Sequence, residues 1–155
     1  LMQSMSAFVA QNVGAGKEER ARKAMRTGML LGVTIGIFVS ALSFFRGDIP
    51  SALFTGNQAF IARSAEYLKG FAPEAILTCL VFSYIGYFNG HGKTIPVMVQ
   101  GISASFLVRV PLSYLFSIQK GATLTTIGYA VPLASVYGII FFTICYLVFL
   151  RKMKK

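Results

Sequence analysis

Residues 17–26 read KEERARKAMR and place five of the chain's fifteen Lys and Arg in ten positions, directly before an apolar run from Thr27 to Phe45. A helix needs about 20 residues to cross a hydrocarbon core, which this run nearly supplies. Dense basic charge beside a spanning segment prefers the cytoplasm, so the junction fixes the direction of every later segment. The chain is therefore expected to be an all-α integral membrane helical bundle, with this basic stretch on the cytoplasmic side.

Composition agrees. Apolar residues make up 55% of the chain and charged residues 13%, against about a quarter charged in an ordinary soluble domain. The formal charge of +10 does not read as a nucleic-acid footprint, because the basic residues sit at the ends of apolar runs and form no continuous patch. Cys79 and Cys145 both fall inside apolar segments and read as small packing residues. Residues 1–13 are apolar but too few to span, so they are expected to be the end of a helix whose upstream partners belong to a longer protein.

The pattern predicts four complete transmembrane helices plus the end of a fifth. The spans are placed at 27–45, 71–88, 95–117 and 126–150, with a cytoplasmic linker at 14–26 and an external linker at 46–70. In the first linker Gly16 is read as a hinge, and Glu18 and Glu19, four residues before Arg22 and Lys23, suit a short exposed helix on the membrane surface. Within 27–45, Gly28, Gly32, Gly36 and Ser40 recur every four residues. Such a ridge lets a neighbouring helix approach closely, while Leu30, Leu31, Ile35, Ile37, Phe38 and Val39 suit lipid.

In the second linker Asp48 to Pro50 reads as a turn. Asn57 reads as the N-cap of a helix in the interface plane, with Phe60, Ile61, Ser64, Ala65 and Leu68 on one face. His91, the sole histidine, lies in a Gly-rich turn and is read as a loop residue at the surface; no metal site is expected. Four crossings return the C-terminus to the starting side. Ten Lys and Arg then lie inside and four outside, with Arg109 in the membrane.

Glu74 and Arg109 are the charges within the spans, and intramembrane charge is costly enough to suggest function. Each also has a structural reading. Pro73-Glu74 is an ordinary helix start, and Arg109 could lock helices together. Gly101, Ser105 and Ser113 share the face of Arg109, and Pro111 should leave the Leu107 carbonyl free. Thr78, Gln100, Tyr84 and Tyr87 offer polar groups at similar depth, and with Phe82 and Phe88 an aromatic surface able to hold a flat organic cation. Pro132, with Ala134, Ser135 and Gly138, suggests a bend. No Ser/His, paired-Asp or His-rich constellation suggests an enzyme.

The stretch QNVGAGKEERARKA resembles the helix-end motif of the multidrug and toxic compound extrusion (MATE) transporters. IPSALFTGNQAFIARSAEYLKGFAP is similar to their external linker before the tenth helix, and GYFNGHGKTIPVMVQ with VRVPLSYLF to the hairpin of the tenth and eleventh helices. The resemblance covers nearly all 155 residues. It implies part of a twelve-helix, two-lobe transporter, here the C-terminal portion of the second lobe, in the plasma membrane with a cytoplasmic C-terminus. It also implies a secondary antiporter that exports a cationic or amphipathic organic compound, such as a drug, in exchange for Na⁺ or H⁺, with no bound cofactor. Its implied partners are the lipid bilayer and the missing N-terminal helices. The family uses an acid on the helix corresponding to 71–88, and Glu74 is the acid on that helix here. Glu74, Thr78, Tyr84, Gln100 and Arg109 are thus the candidate ion or substrate pathway. A lipid-linked glycan flippase of the same superfamily and a small structural or regulatory membrane subunit are the alternatives.

Overall fold

The computed structural model describes residues 2–153, with side chains to Arg151, and every regular element among them is helical. The elements are α1 (Met2–Gly14), α2 (Glu18–Phe45), α3 (Asp48–Ala52), α4 (Gln58–Phe71), α5 (Glu74–Gly90), α6 (Thr94–Ser103), a π-helical stretch (Ala104–Arg109), α7 (Val110–Ser117), α8 (Leu124–Gly128) and α9 (Ala130–Met153). Among the described residues three runs are long and apolar enough to cross a membrane: Glu18–Phe45, Thr94–Ser117 and Leu124–Arg151. A fourth arises if α4 and α5, bent by 52° at their junction, are taken as one span.

The charged stretch and the first span are one helix, not a surface helix followed by a span. Ala21, Met25, Gly28, Gly32 and Gly36 are its buried residues. Their spacing of three and four carries one inward stripe from the charged turns into the membrane segment. At 28 residues the helix is about 42 Å long, more than a hydrocarbon core of about 30 Å, so its charged turns project into water. The break before it is a reversal at Gly16, whose φ of 69° suits glycine. Lys17 N–H donates to the Asn12 carbonyl at 2.7 Å and Gly16 N–H to Val13 at 3.0 Å, a glycine-terminated helix end.

The glycine ridge meets α5 at Gly36 and α1 at Gly28. A Cβ added at Gly36 would lie 2.7 Å from the Ala75 carbonyl oxygen and 2.9 Å from Ile76 Cα, and one at Gly28 would collide with the end of the Met5 side chain. Ser40 is partly buried. On the opposite side Leu30, Leu31, Ile35 and Phe38 are each at least 60% exposed, an apolar exterior fit for lipid and costly in water.

α5 is central, packed against α1, α2, α6 and α9. One core cluster joins Met5, Val9, Ala21, Met25 and Tyr87, and a second joins Val81, Phe88 and Phe142. α5 begins at Glu74, three residues after the expected start, and its 17 residues reach only about 25 Å. Asn57 caps α4 as its sequence implies, its Oδ1 accepting from Ala59 N–H at 3.0 Å and Phe60 N–H at 3.4 Å. The stretch read as a turn at 48–50 opens the short helix α3. α4 then packs against α8, where Thr125 Oγ1 donates to the Glu66 carbonyl at 2.8 Å.

The two prolines in the later spans act where they stand. Pro111 cannot donate and its ring crowds the Leu107 carbonyl, and the helix widens just before it into the π-helical stretch, with Val110 N–H reaching Ser105 O. Pro132 cannot donate to Gly128, and the regular helix is interrupted at Tyr129, between α8 and α9.

Candidate functional site

Glu74 stands in the first turn of α5, where the helix dipole favours a carboxylate. It is nonetheless only 7% exposed, so the helix-start reading and the buried-charge reading both describe it. Its Oε1 accepts from Thr78 Oγ1, one turn on along α5. The same oxygen accepts from Ser135 Oγ on α9 at 2.8 Å. The other oxygen, Oε2, is buried and has no hydrogen-bond partner. A buried carboxylate oxygen without a donor is expensive, and Glu74 lines a cavity.

That cavity, of about 260 Å³, is lined by Glu74, Thr78, Gln100, Arg109 and Ser135 among its polar residues, with Phe82 and Ile85 among the apolar ones. Three elements build it. α5 supplies the acid and its threonine, α6 with the π-helical stretch supplies Gln100 and Arg109, and α9 supplies Ser135. Gln100 is buried because α9 presents Gly138 to it; a Cβ there would lie 2.6 Å from Gln100 Nε2. The widened turn at 104–109 ends on Arg109, and Gly101, Ser105 and Arg109 together face the cavity, whereas Ser113 is not part of its wall.

Glu74 and Arg109 share the cavity without forming an ion pair, among the described residues. Four of the five expected pathway residues therefore converge, and Tyr84 does not. Its hydroxyl shares a hydrogen bond of 3.1 Å with Thr143 and its ring stacks on Phe142 at 5.9 Å, tying α5 to α9. Tyr87 and Phe88 are likewise fully packed, so of the expected aromatic surface only Phe82 lines the cavity. Ser135, expected at a bend, is instead a partner of the acid, and only the fold reveals it because 61 residues separate the two.

At the other end of α5 the structure corrects the reading of His91. It stands in the turn that follows α5, as read, but its side chain is 5% exposed and turned inward rather than at the surface. It contacts Glu18 Oε2 at 2.9 Å. The turn behind it uses Gly92 at φ 66°.

Chemically, a buried carboxylate with one oxygen held by hydroxyl donors and one free can bind a proton, a small cation or the charged end of an organic cation. Hydroxyl and amide oxygens of Thr78, Ser135 and Gln100 add neutral ligands of the kind hard cations take.

A family model described as MatE matches residues 1–115. The multidrug resistance protein PmpM of Pseudomonas aeruginosa is 31% identical over 109 residues, which cover 70% of this chain and 23% of PmpM. The multidrug resistance protein MdtK of Klebsiella pneumoniae is 26% identical over 146 residues, 91% of this chain and 31% of MdtK. MdtK of Cronobacter sakazakii is 24% identical over 147 residues, 92% of this chain and 31% of that protein. The chain spans a quarter to a third of the length of these curated relatives. No solved structure matches it significantly. With a family model over residues 1–115 and long apolar helices that can cross a membrane, the chain belongs to the MatE family of multidrug and toxic compound extrusion transporters.

Proposed function

We propose that this chain forms part of a secondary antiporter that moves cationic or amphipathic organic compounds out of the cell in exchange for Na⁺ or H⁺. Glu74 carries the reading. Its side chain is buried with Oε2 lacking a hydrogen-bond partner, and it lines a cavity together with Thr78, Ser135, Gln100 and Arg109. The carboxylate binds the coupling ion, and Arg109, the cation of the same wall, competes for it when the ion leaves. Because a carboxylate can take only one of these partners at full strength, ion occupancy alters the charge that the cavity presents to a cationic substrate. The relatives' names, multidrug resistance proteins, support this substrate class.

The basic ends of α2 and α9 would face the cytoplasm, by the preference of Lys and Arg for that side. The cavity would then open near the external boundary, since Glu74 lies at the far end of α5 from Gly90. Rocking of two lobes around a central site would carry substrate across.

The test is efflux of a cationic dye from cells expressing the intact protein, with the Na⁺ and proton gradients collapsed separately. Loss of efflux with one gradient and not the other supports antiport and names the ion. Efflux indifferent to both gradients, or absent for every organic cation tried, contradicts the proposal.

A further inference from the structure

At the basic end of the molecule three side chains from distant parts of the sequence form a closed hydrogen-bond network. Glu18 opens α2, Tyr87 lies in the last turn of α5, and His91 follows that turn. Tyr87 Oη donates to Glu18 Oε1 at 2.6 Å. His91 Nε2 faces Glu18 Oε2 at 2.9 Å, and His91 Nδ1 faces the Tyr87 carbonyl oxygen, also at 2.9 Å. Both ring nitrogens therefore point at oxygens that can only accept, a carbonyl and a carboxylate. A neutral imidazole carries one N–H and would set a lone pair against one of them, whereas an imidazolium donates at both nitrogens. We infer that Glu18, Tyr87 and His91 form a proton-binding site at the basic end of the chain, with the proton held on His91.

Two further donors flank the carboxylate. Arg22 Nε lies 4.0 Å from Glu18 Oε1, and the Tyr87 hydroxyl already donates to that oxygen. Among the described side chains, α9 packs Tyr146 against this group, its ring 5.4 Å from that of Tyr87 and within the influence of Arg22 and Arg26. α1 contributes Met5, Val9 and Val13 to this region, none of them titratable. Phe149 closes the far side, 5.1 Å from the imidazole in edge contact. With the His91 side chain 5% exposed and that of Glu18 26% exposed, water reaches the site from the Glu18 side.

This site is separate from the Glu74 cavity. The two lie 17 residues apart along α5, roughly 25 Å. Its proton comes from water at the basic face, and its role is mechanical. The proton clamps the first turn of α2 to the last turn of α5, directly after the glycine reversal at residues 14–17. When the proton leaves, the imidazole and the carboxylate no longer attract, the clamp opens, and the reversal is released.

Magic-angle-spinning NMR of the intact protein in bilayers, labelled with ¹⁵N-histidine, reads the protonation of each ring nitrogen directly, and His91→Gln identifies the signal. An unpartnered histidine would be about one-tenth doubly protonated at about pH 7.5. The site predicts a fraction above about one half there, at least fivefold more. Glu18→Gln should return it to about one-tenth, while Tyr87→Phe, which keeps the carboxylate, should leave most of it in place. A wild-type spectrum with one bare ring nitrogen would overturn the assignment, as would a doubly protonated ring that persists in Glu18→Gln. The wild-type spectrum decides even if a variant fails to fold.

Discussion

Glu74 shows how one residue can satisfy two descriptions. Its place after Pro73 starts a helix, and its burial makes it chemically available to a cavity. Ser135 is the residue that holds it from another helix, through a hydrogen bond to charge of the kind worth about 1.5–3 kcal/mol. Ser135→Ala should therefore lower the thermal stability of the purified protein by an amount in that range, and Thr143→Ala, whose partner Tyr84 is neutral, by about 1 kcal/mol. Equal losses would mean that Ser135 does not serve a charged group. The acid was legible in the sequence because charge inside an apolar run announces itself. Its serine was not, because no local pattern ties two positions 61 residues apart. The same limit hid the contact between Glu18 and His91, 73 residues apart.

Among elements, α2 was the most readable and the most misread. Its glycines every fourth residue disclosed the packed face, and the bulky residues between them disclosed the exposed one, since both signals are periodic and local. Its start was misplaced because five basic residues suggested a water-exposed piece of their own, while Ala21 and Met25 continue the buried stripe through them. The glycine positions can be ranked by what a methyl group would meet. Gly36→Ala places its Cβ against the backbone of Ala75 and Ile76, which cannot swing aside. It should cost about 1–3 kcal/mol in detergent stability. Gly101→Ala meets nothing within 4 Å and should be neutral or stabilising by up to about 1 kcal/mol through helix propensity. A thermal denaturation series on the two variants checks this, and equal behaviour would remove the argument for a close α2–α5 contact. The π-helical stretch could be anticipated only as a consequence of Pro111, because the wider turn is one of several ways a helix can absorb a missing donor.

At the scale of the molecule the helices and their order follow from apolar run length, and the placement of Lys and Arg predicts which side of the membrane each end faces. Cysteines introduced at the exposed positions Arg20, Lys93 and Arg151 should react with an impermeant thiol reagent from one side, and those at Gln58 and Thr123 from the other. Labelling of 93 together with 58 would show that α5 does not carry the chain across. What the sequence could not display is the cavity itself, which exists only where α5, α6 with the π-helical stretch, and α9 meet. The proposed chemistry of that cavity rests on Glu74, and ion-driven dye efflux by Glu74→Gln in the intact protein tests it most directly. The substitution keeps size and hydrogen bonding but removes the charge, so at wild-type protein levels efflux should lose its dependence on the ion gradient and fall at least about tenfold, the factor that 1.4 kcal/mol represents. Gradient-driven efflux at the wild-type rate would contradict the account and leave Glu74 as the residue that starts a helix.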